Sequence, residues 1–238
     1  MVTAAIFAGG TGSRLGGPVP KQYLPLGGKP VIIRAAEKFI AHPEVDLVLV
    51  LCSADWLERT RQLFADEFGL NKRIVFIPGG ADRNGTLHCA LNYMEENGLT
   101  DPSAIILTHD AARPLVSSRI ITENIAVARK YGACGTYIPA GDTIAQSEDG
   151  KVVSFVPPRS QMLQTQTPQS FNVQKLKTLL DSLTKKEQAA LTDACMIFTL
   201  KGEPIHIVPG HVYNIKITYP LDLEAAEALW QAGAAEED

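Results

Sequence analysis

Long apolar runs and paired cysteines are both missing from this 238-residue chain. No stretch approaches the ~20 apolar residues that a membrane-spanning helix requires, so we expect no membrane partner. The apolar run at residues 2–8 ends in glycine and has no basic segment before it, which is not typical of a signal peptide. The four cysteines are far apart and form no Cys-x-x-Cys pair, which disfavours disulfides and a structural zinc site. These absences predict a soluble, cytoplasmic protein.

An excess of positive charge is also absent. The chain has 22 Lys and Arg against 26 Asp and Glu, a formal net charge of −4. Proteins that bind nucleic acid through bulk charge are basic, so we expect no nucleic-acid partner. The sequence contains no internal repeat, low-complexity segment or long linker. Its 238 residues, 45% of them hydrophobic, suffice for one core, which predicts a single domain over residues 1–238.

Apolar strand-like runs alternate with longer amphipathic stretches along the first 140 residues. The runs 47–51 and 104–107 are apolar on both faces, as in central strands of a parallel sheet that helices cover on both sides. The alternation predicts an α/β protein with a doubly wound, mostly parallel sheet. The predicted strands are Val2–Ala8, Asp46–Cys52, Arg73–Ile77, Ala104–Thr108 and Gly135–Ile138, and the predicted helices are Pro30–Ala41, Asp55–Phe68, Gly85–Asn97 and Ser117–Lys130.

The alternation breaks between residues 140 and 158. Two β-prone stretches, 142–145 and 151–156, flank the turn signal Glu148-Asp149-Gly150, a pattern that predicts a protruding β-hairpin arm. An isolated hairpin is marginally stable in water, so we expect the arm to dock on a second copy of the chain. A solvent-exposed hairpin is the alternative.

A glycine-rich turn follows the first predicted strand. Gly9, Gly10 and Gly12 allow the backbone to approach a ligand closely and to direct N–H groups at anionic oxygens. Arg14 and Lys21 come next and can neutralise phosphate charge. The turn matches neither the P-loop pattern nor the Gly-x-Gly-x-x-Gly dinucleotide fingerprint. We interpret it as a nucleotide-phosphate loop of another type, with a tight turn carrying surface cations as the alternative.

Two further motifs also follow predicted strands, and ligands of doubly wound sheets bind beyond the carboxyl ends of the strands. Asp110 is a candidate Mg²⁺ ligand beside a phosphate crevice, and Arg113 can hold a second anion. A helix N-cap with its salt-bridge partner is the alternative for this pair. The turn Gly79-Gly80 leads into a helix with Thr86 in its first turn, where backbone groups and a hydroxyl can recognise a base edge.

Two other residues near these motifs are ambiguous. His109 adjoins the candidate metal ligand, but a lone histidine beside an aspartate is more often packed or hydrogen-bonded, so we leave it out of the site. Lys216 lies between apolar neighbours in a strand-like run, 214–218. It either extends to solvent or points into the crevice. The residues Pro220-Leu221-Asp222 then predict the start of a helix.

Motifs along nearly the whole chain resemble the cytidylyltransferases that load a cytidylyl group onto a sugar-alcohol phosphate. This group comprises the 2-C-methyl-D-erythritol 4-phosphate enzyme of isoprenoid synthesis and the ribitol-5-phosphate enzyme of teichoic-acid and capsule synthesis. The resemblance implies a Rossmann-like nucleotidyltransferase fold, CTP as substrate, Mg²⁺ as cofactor and a homodimer. The matching elements occur in family order at Ala8–Arg14, Pro20-Lys21-Gln22, Gly79-Gly80 with Arg83, His109–Pro114, Asp142-Thr143, Gln166–Gln169, Thr192-Asp193 and Asn214–Thr218.

The resemblance also implies a role for each site residue. Arg14, Lys21 and Lys216 would surround the α-phosphate as catalytic residues, and Asp110 would hold Mg²⁺ on the triphosphate. Ala8, Gly9 and Gly80, with Thr86, would recognise cytosine. Arg113 and Thr143 would face the acceptor, and Arg159 would reach the acceptor phosphate of the neighbouring subunit. The complete set of implied CTP contacts is Ala8, Gly9, Gly10, Thr11, Gly12, Gly80, Arg83, Thr86, Asp110 and Ala111.

Such a transfer requires no nucleophilic side chain. An acceptor phosphate oxygen attacks the α-phosphorus in line and pyrophosphate leaves, so positioning and charge neutralisation carry the catalysis. A phosphate monoester is already largely ionised at pH 7, so no general base is needed.

The identity of the acceptor depends on finer resemblance. The glycine loop, Gly79–Asn84 and Thr192–Cys195 look more like the ribitol-5-phosphate group, so we expect D-ribitol 5-phosphate, with 2-C-methyl-D-erythritol 4-phosphate as the alternative. Two other functions stay open at this stage. One is a nucleotidyltransferase for another base or a hexose phosphate, and the other is a non-catalytic nucleotide-binding module.

Overall fold

The computed structural model describes residues 1–10 and 19–234. The strands in these ranges are β1 (Val2–Ala8), β2 (Pro25–Leu26), β3 (Lys29–Pro30), β4 (Leu47–Cys52), β5 (Ile74–Pro78), β6 (Ile105–Asp110), β7 (Ala133–Pro139), β8 (Leu163–Asn172) and β9 (His206–Pro209). The α-helices are α1 (Val31–Ala41), α2 (Leu57–Phe68), α3 (Arg83–Glu96), α4 (Ser118–Tyr131), α5 (Val173–Asp181), α6 (Lys185–Ala190), α7 (Cys195–Leu200) and α8 (Pro220–Gln231). Short 3-10 turns span Lys21–Tyr23, Ala54–Trp56 and Arg159–Gln161.

The main sheet has the strand order β5-β4-β1-β6-β8-β7-β9. All neighbouring strands pair in parallel except that β8 runs antiparallel to both β6 and β7. The chain passes from β1 outward to β4 and β5 and then returns to place β6 on the other side of β1. The strand order therefore reverses between β1 and β6, which is where doubly wound sheets form a ligand crevice.

The sheet is buried because its strands are apolar on both faces. All six residues of β4 are buried, and side chains from alternate positions join two core clusters on opposite sides of the sheet. Full burial of one large aliphatic side chain contributes about 1.5–3 kcal/mol, so these strands provide much of the driving force for folding. Helix α4 is delimited by its own sequence, with the Ser117 hydroxyl accepting from the Ile120 N–H and Gly132 ending the helix at φ 85°.

Most of the predicted alternation is confirmed. The five predicted strands correspond to β1, β4, β5, β6 and β7, and the four predicted helices to α1–α4, with boundaries that differ by a few residues. The predicted start of α8 at Pro220 is also confirmed. The strand-like run at 214–218 forms no strand in the structure. Its Ile217 N–H instead donates to the Ala112 carbonyl at 2.8 Å, which fixes the segment against the loop that follows β6.

The segment at residues 140–158 projects from the sheet between β7 and β8. The Asp149 carboxylate accepts from the N–H groups of Lys151 and Val152, so the chain reverses at the predicted turn. Pairing is limited to one antiparallel bridge, Gln146 with Phe155, instead of two regular strands. We call this segment the arm. Its apolar side chains are exposed in the single chain, namely Ile144, Val152, Val153, Phe155 and Val156.

Within the described ranges, no helix has both the length and the apolar character needed to cross a bilayer.

Candidate active site

A cavity of about 400 Å³ opens beyond the carboxyl ends of β1 and β6. It lies at the point where the strand order reverses, as expected for a ligand site in this kind of sheet. The three separate sequence motifs do meet here. The predicted site residues that line the cavity are Ala8, Gly9, Gly10, Lys21, Gly80, Arg83, Thr86, Asp110, Ala111 and Lys216. The predicted residues Thr11, Gly12 and Arg14 lie outside the described part of the chain.

Asp110 is at the centre of an ionic cluster on the cavity wall. Its carboxylate accepts from Lys216 Nζ at 2.7 Å and lies 3.5 Å from Arg83 Nε. Burial alone would raise the pKa of Asp110, but the nearby Arg83, Lys216 and Arg113 cations together hold it well below its ordinary value. The carboxylate is therefore ionised across the neutral pH range. Arg83 also stacks over Phe7, with its guanidinium carbon 5.3 Å from the ring centroid.

The turn before α3 also lines the cavity. The Thr86 hydroxyl accepts from the Gly80 N–H at 3.2 Å and donates to the Asp82 carbonyl at 2.8 Å. A Cβ at Gly80 would come within 2.3 Å of the carbonyl carbon of Gly85, so only glycine fits where the turn closes on the helix. The two bonds use the hydroxyl's donor and one of its two acceptor sites. Thr86 thus shapes the turn as well as lining the cavity.

The segment 214–218 carries Lys216 to the cavity. The buried Asn214 side chain donates to Gln166 Oε1 and to the Thr167 carbonyl, at 3.2 and 2.9 Å. Lys21 Nζ donates to the Ile217 carbonyl at 2.5 Å, so the first and last parts of the chain meet at the site. These bonds hold the strand-like run in place without sheet pairing.

Arg113 holds the same segment from behind. Its side chain is only 8% exposed, and its guanidinium donates to the carbonyls of Asn214 and Thr165 at 2.6 and 3.2 Å. Burial lowers its pKa from the ordinary value, although the Asp110 charge opposes this shift. These bonds direct the guanidinium to backbone oxygens, and Arg113 does not line the cavity of the single chain. Its role at the acceptor stays a prediction.

Comparisons with known proteins identify the family of this chain. The family model of IspD, 2-C-methyl-D-erythritol 4-phosphate cytidylyltransferase, matches residues 2–232. The chain belongs to this family. It is therefore a CTP-dependent cytidylyltransferase, and the predicted nucleotidyltransferase fold is confirmed.

Solved cytidylyltransferase structures superpose over almost the full chain. The 4-diphosphocytidyl-2C-methyl-D-erythritol synthase of Anaerococcus prevotii is 25% identical with a TM-score of 0.80, and the match covers 97% of this chain and 96% of that one. The Francisella tularensis 2-C-methyl-D-erythritol 4-phosphate cytidylyltransferase is 27% identical, with a TM-score of 0.79 and coverages of 97% and 99%. The enzyme of the same name from Thermus thermophilus is 26% identical, with a TM-score of 0.72 and coverages of 96% and 98%.

His109 has a structural part in this cytidylyltransferase. Its Nε2 lies 3.0 Å from the Arg113 carbonyl, which can only accept, so Nε2 carries the proton. Nδ1 then accepts from the Thr167 hydroxyl at 3.1 Å, and that hydroxyl in turn accepts from the Asp110 N–H. Burial lowers the pKa of His109 to about 4, so the ring is neutral at pH 7. The side chain fixes the backbone at the end of β6 and stays out of contact with the cavity.

Thr143 and Arg159 lie on the arm or at its base. Neither lines the cavity of its own chain. Arg159 donates to the Gly141 carbonyl at 3.4 Å and is exposed, as is Thr143. Within one chain these two residues are therefore separate from the other predicted site residues.

Sequence reasoning missed the buried amides that support the site. Gln22 donates to the carbonyls of Ala8 and Gly10 at 2.6 and 3.0 Å, and Gln166 and Asn214 pair as described above. Polarity and periodicity do not mark these residues, because a buried glutamine has the same sequence signal as an exposed one. Only their membership of the family motifs Pro20-Lys21-Gln22, Gln166–Gln169 and Asn214–Thr218 pointed to them.

Proposed function

We propose that this enzyme transfers the cytidylyl group of CTP to 2-C-methyl-D-erythritol 4-phosphate, with release of pyrophosphate, as a step of isoprenoid synthesis. The family match over residues 2–232 carries this proposal. The local sequence motifs favour D-ribitol 5-phosphate, but the family match favours the methylerythritol acceptor. The three structures compared above bear names of the methylerythritol phosphate enzyme, which supports the same choice.

Cationic side chains supply the main catalytic effect in this proposal. Lys21, Lys216 and Arg14 surround the α-phosphate, where negative charge is redistributed as the acceptor oxygen attacks and pyrophosphate leaves. Triphosphate and acceptor phosphate are both anionic, so neutralisation and alignment lower the barrier without a covalent intermediate. Of these residues, the described Lys21 and Lys216 both line the cavity. Lys21 also donates to the carbonyl of Ile217, the residue that follows Lys216.

Cytosine is recognised by the turn before α3 and the end of β1. The groups concerned are the backbone at Ala8, Gly9 and Gly80 and the hydroxyl of Thr86. The close packing of Gly80 on Gly85 supports this proposal, because it fixes the turn in one shape.

Asp110 holds the divalent cation that accompanies the triphosphate. The described residues contain no group of three or more His, Cys, Asp and Glu side chains placed to bind a metal. A single ionised carboxylate fits Mg²⁺, which is commonly bound through one or two carboxylates together with substrate phosphates. The cation would offset phosphate charge. Turnover should therefore stop in excess chelator, and Asp110→Asn should alter the metal dependence.

The enzyme is a single-domain homodimer in which the arm of one chain completes the site of the other. Thr143 faces the acceptor and Arg159 reaches its phosphate in the neighbouring subunit. The exposed apolar side chains of the arm support this proposal, since a second chain would remove them from water.

The deciding experiment is the ratio of kcat/KM values for the two acceptors, measured by pyrophosphate release at saturating CTP. A methyl-sized difference gives only about 10–200-fold discrimination, so cross-reactivity is expected and activity on one acceptor decides nothing. The ratio should favour methylerythritol phosphate. A ratio of about tenfold or more in favour of ribitol phosphate would make D-ribitol 5-phosphate the preferred acceptor. The absence of pyrophosphate release with both would overturn the proposal.

A further inference from the structure

The 3-10 turn that begins at Lys21 directs three consecutive side chains to three parts of the fold. Lys21 donates to the Ile217 carbonyl beside the cavity. Gln22 points to the end of β1. Tyr23 stacks on Trp56 with ring centroids 4.3 Å apart. One short turn thus joins the glycine loop, the Lys216 segment and the start of α2.

Gln22 makes the contact with the glycine loop. Its Nε2 donates to the carbonyls of Ala8 and Gly10 at 2.6 and 3.0 Å, and the residue is only 4% exposed. One amide group therefore bridges the two carbonyls on either side of Gly9. Because a trans peptide is planar, fixing the Ala8 carbonyl toward Gln22 directs the Gly9 N–H away from Gln22.

Consecutive glycines have no intrinsic preference for the backbone conformation that a phosphate or a base edge requires. Gly9 and Gly10 tolerate many conformations, and a Cβ at Gly10 would meet no described atom within 4 Å. Among the described residues, packing around Gly10 therefore does not fix its backbone. Among the described contacts, the two bonds from Gln22 fix the directions of the Ala8 and Gly10 carbonyls. Loss of the bond to the buried Ala8 carbonyl costs free energy, because that acceptor is left unsatisfied.

We propose that Gln22 is a positioning residue for CTP, which sets the backbone of residues 8–10 in register with the adjacent Lys21. The inference rests on the proposed function, since it assigns these groups to the nucleotide. Gln22 acts through the backbone that it holds, and the nucleotide is contacted by that backbone and by Lys21.

The test uses two variants and one matched control. Gln22→Met keeps the length of the side chain and removes both bonds. Gln22→Glu keeps the shape but, when ionised, presents only acceptors to two carbonyls. Tyr23→Phe is the control, because it removes the 2.8 Å bond to the Thr60 hydroxyl from the same turn and leaves the glycine loop untouched. Gln22→Asn replaces Gln22→Met if the latter does not fold.

Gln22→Met should lower kcat/KM for CTP by about tenfold or more and leave KM for the acceptor within about twofold of wild type. Gln22→Glu should show a pH response that a packing role would not produce. Burial and two facing carbonyls raise the pKa of the introduced carboxyl. As the pH falls from about 8 to about 5.5, the carboxyl gains a proton and donates one bond, so activity relative to wild type should rise. Tyr23→Phe should show no such rise.

Wild-type kcat/KM for CTP in both Gln22 variants would overturn the inference, as would a flat pH ratio for Gln22→Glu. Calorimetric titration with CTP separates this failure from failure of the proposed function. If wild type binds CTP but transfers to neither acceptor, the proposed function fails, and weaker CTP binding by Gln22→Met still supports the inference. If wild type does not bind CTP, both are overturned.

Discussion

Lys21, Arg83 and Lys216 place three cations around a cavity in a chain whose formal net charge is −4. The carboxylates on the described lining are those of Asp82 and Asp110, and the first also caps α3 through a 2.7 Å bond from the Gly85 N–H. The cavity is therefore locally positive while the whole protein is acidic. Local charge of this kind attracts a polyphosphate without the bulk charge that favours nucleic acid.

Replacing Lys21 tests the role of this local charge in the transition state. Lys21→Ala should lower kcat by about 10²–10³, the scale for loss of one preorganised electrostatic donor. Lys29→Ala is the matched control, because Lys29 pairs with Glu37 and Glu67 and does not line the cavity. Steady-state kinetics with CTP provide the measurement. An unchanged kcat with a raised KM would make Lys21 a ground-state binding residue.

His109 predicts part of the pH dependence of stability. Its pKa is about 4 in the folded protein and about 6.5 when unfolded, so the unfolded state binds more protons between these values. Its contribution is fully present above about pH 6.5 and is lost as the pH falls toward about 4. The free energy of unfolding should decrease across this window less steeply in His109→Gln than in wild type. Denaturant titrations at several pH values measure the two slopes, and equal slopes would contradict the assignment.

At the scale of elements, β8 and the segment 214–218 together decide where Lys216 lies. The side chains of Gln166 and Asn214 link them, and a Cβ at Gly210 would displace the Gln166 side chain, since it would lie 2.4 Å from Gln166 Oε1. In the first turn of α8, the Asp222 carboxylate accepts from the N–H groups of Thr218 and Tyr219, each at 2.8 Å. The segment is thus held at both ends by side chains and not by a strand partner.

Asn214→Ala tests this arrangement. The change leaves Gln166 Oε1 and the Thr167 carbonyl without their shared donor, so the free energy of unfolding should fall by about 1–3 kcal/mol. The kcat should fall as well, because Lys216 loses its fixed position. Asn97→Ala is the control, since Asn97 is exposed and bonds only to its own helix at the Tyr93 carbonyl. A variant with reduced stability and wild-type kcat would show that Asn214 does not fix the position of Lys216.

At the scale of the whole molecule, the arm predicts complementation between chains. In the proposed dimer, Lys21 and Arg159 of one site come from different chains. Mixing inactive Lys21→Ala with inactive Arg159→Ala should therefore restore part of the activity, because each hybrid contains one intact site. Each variant mixed with itself is the control. No recovery despite measured subunit exchange would exclude the shared site, and a monomer in sedimentation would exclude the dimer.

The alternation of elements and the location of the site were predictable because both depend on local signals. The strand ends at Ala8, Pro78 and Asp110 are marked by glycine or charge after an apolar run, and a parallel sheet brings such ends to one edge. The segment 214–218 shows the limit of such local signals. Its pattern of residues is strand-like, but hydrogen bonds to the loop after β6 and to Thr167 of β8 hold it without strand pairing.

The sequence by itself determined the fold class and the three motifs that meet at the cavity, because hydrophobic periodicity and glycine-rich turns are properties of neighbouring residues. The family was indicated by the resemblance of motifs along nearly the whole chain. Only the tertiary structure decided the antiparallel insertion of β8, the pairing of Lys216 with Asp110, the burial of Arg113 behind the Lys216 segment and the bonds of Gln22. Each of these joins residues far apart in the chain, such as Asp110 and Lys216 at a separation of 106 residues. Direction, burial and hydrogen-bond partners depend on which surfaces pack together, and local sequence patterns do not encode that choice.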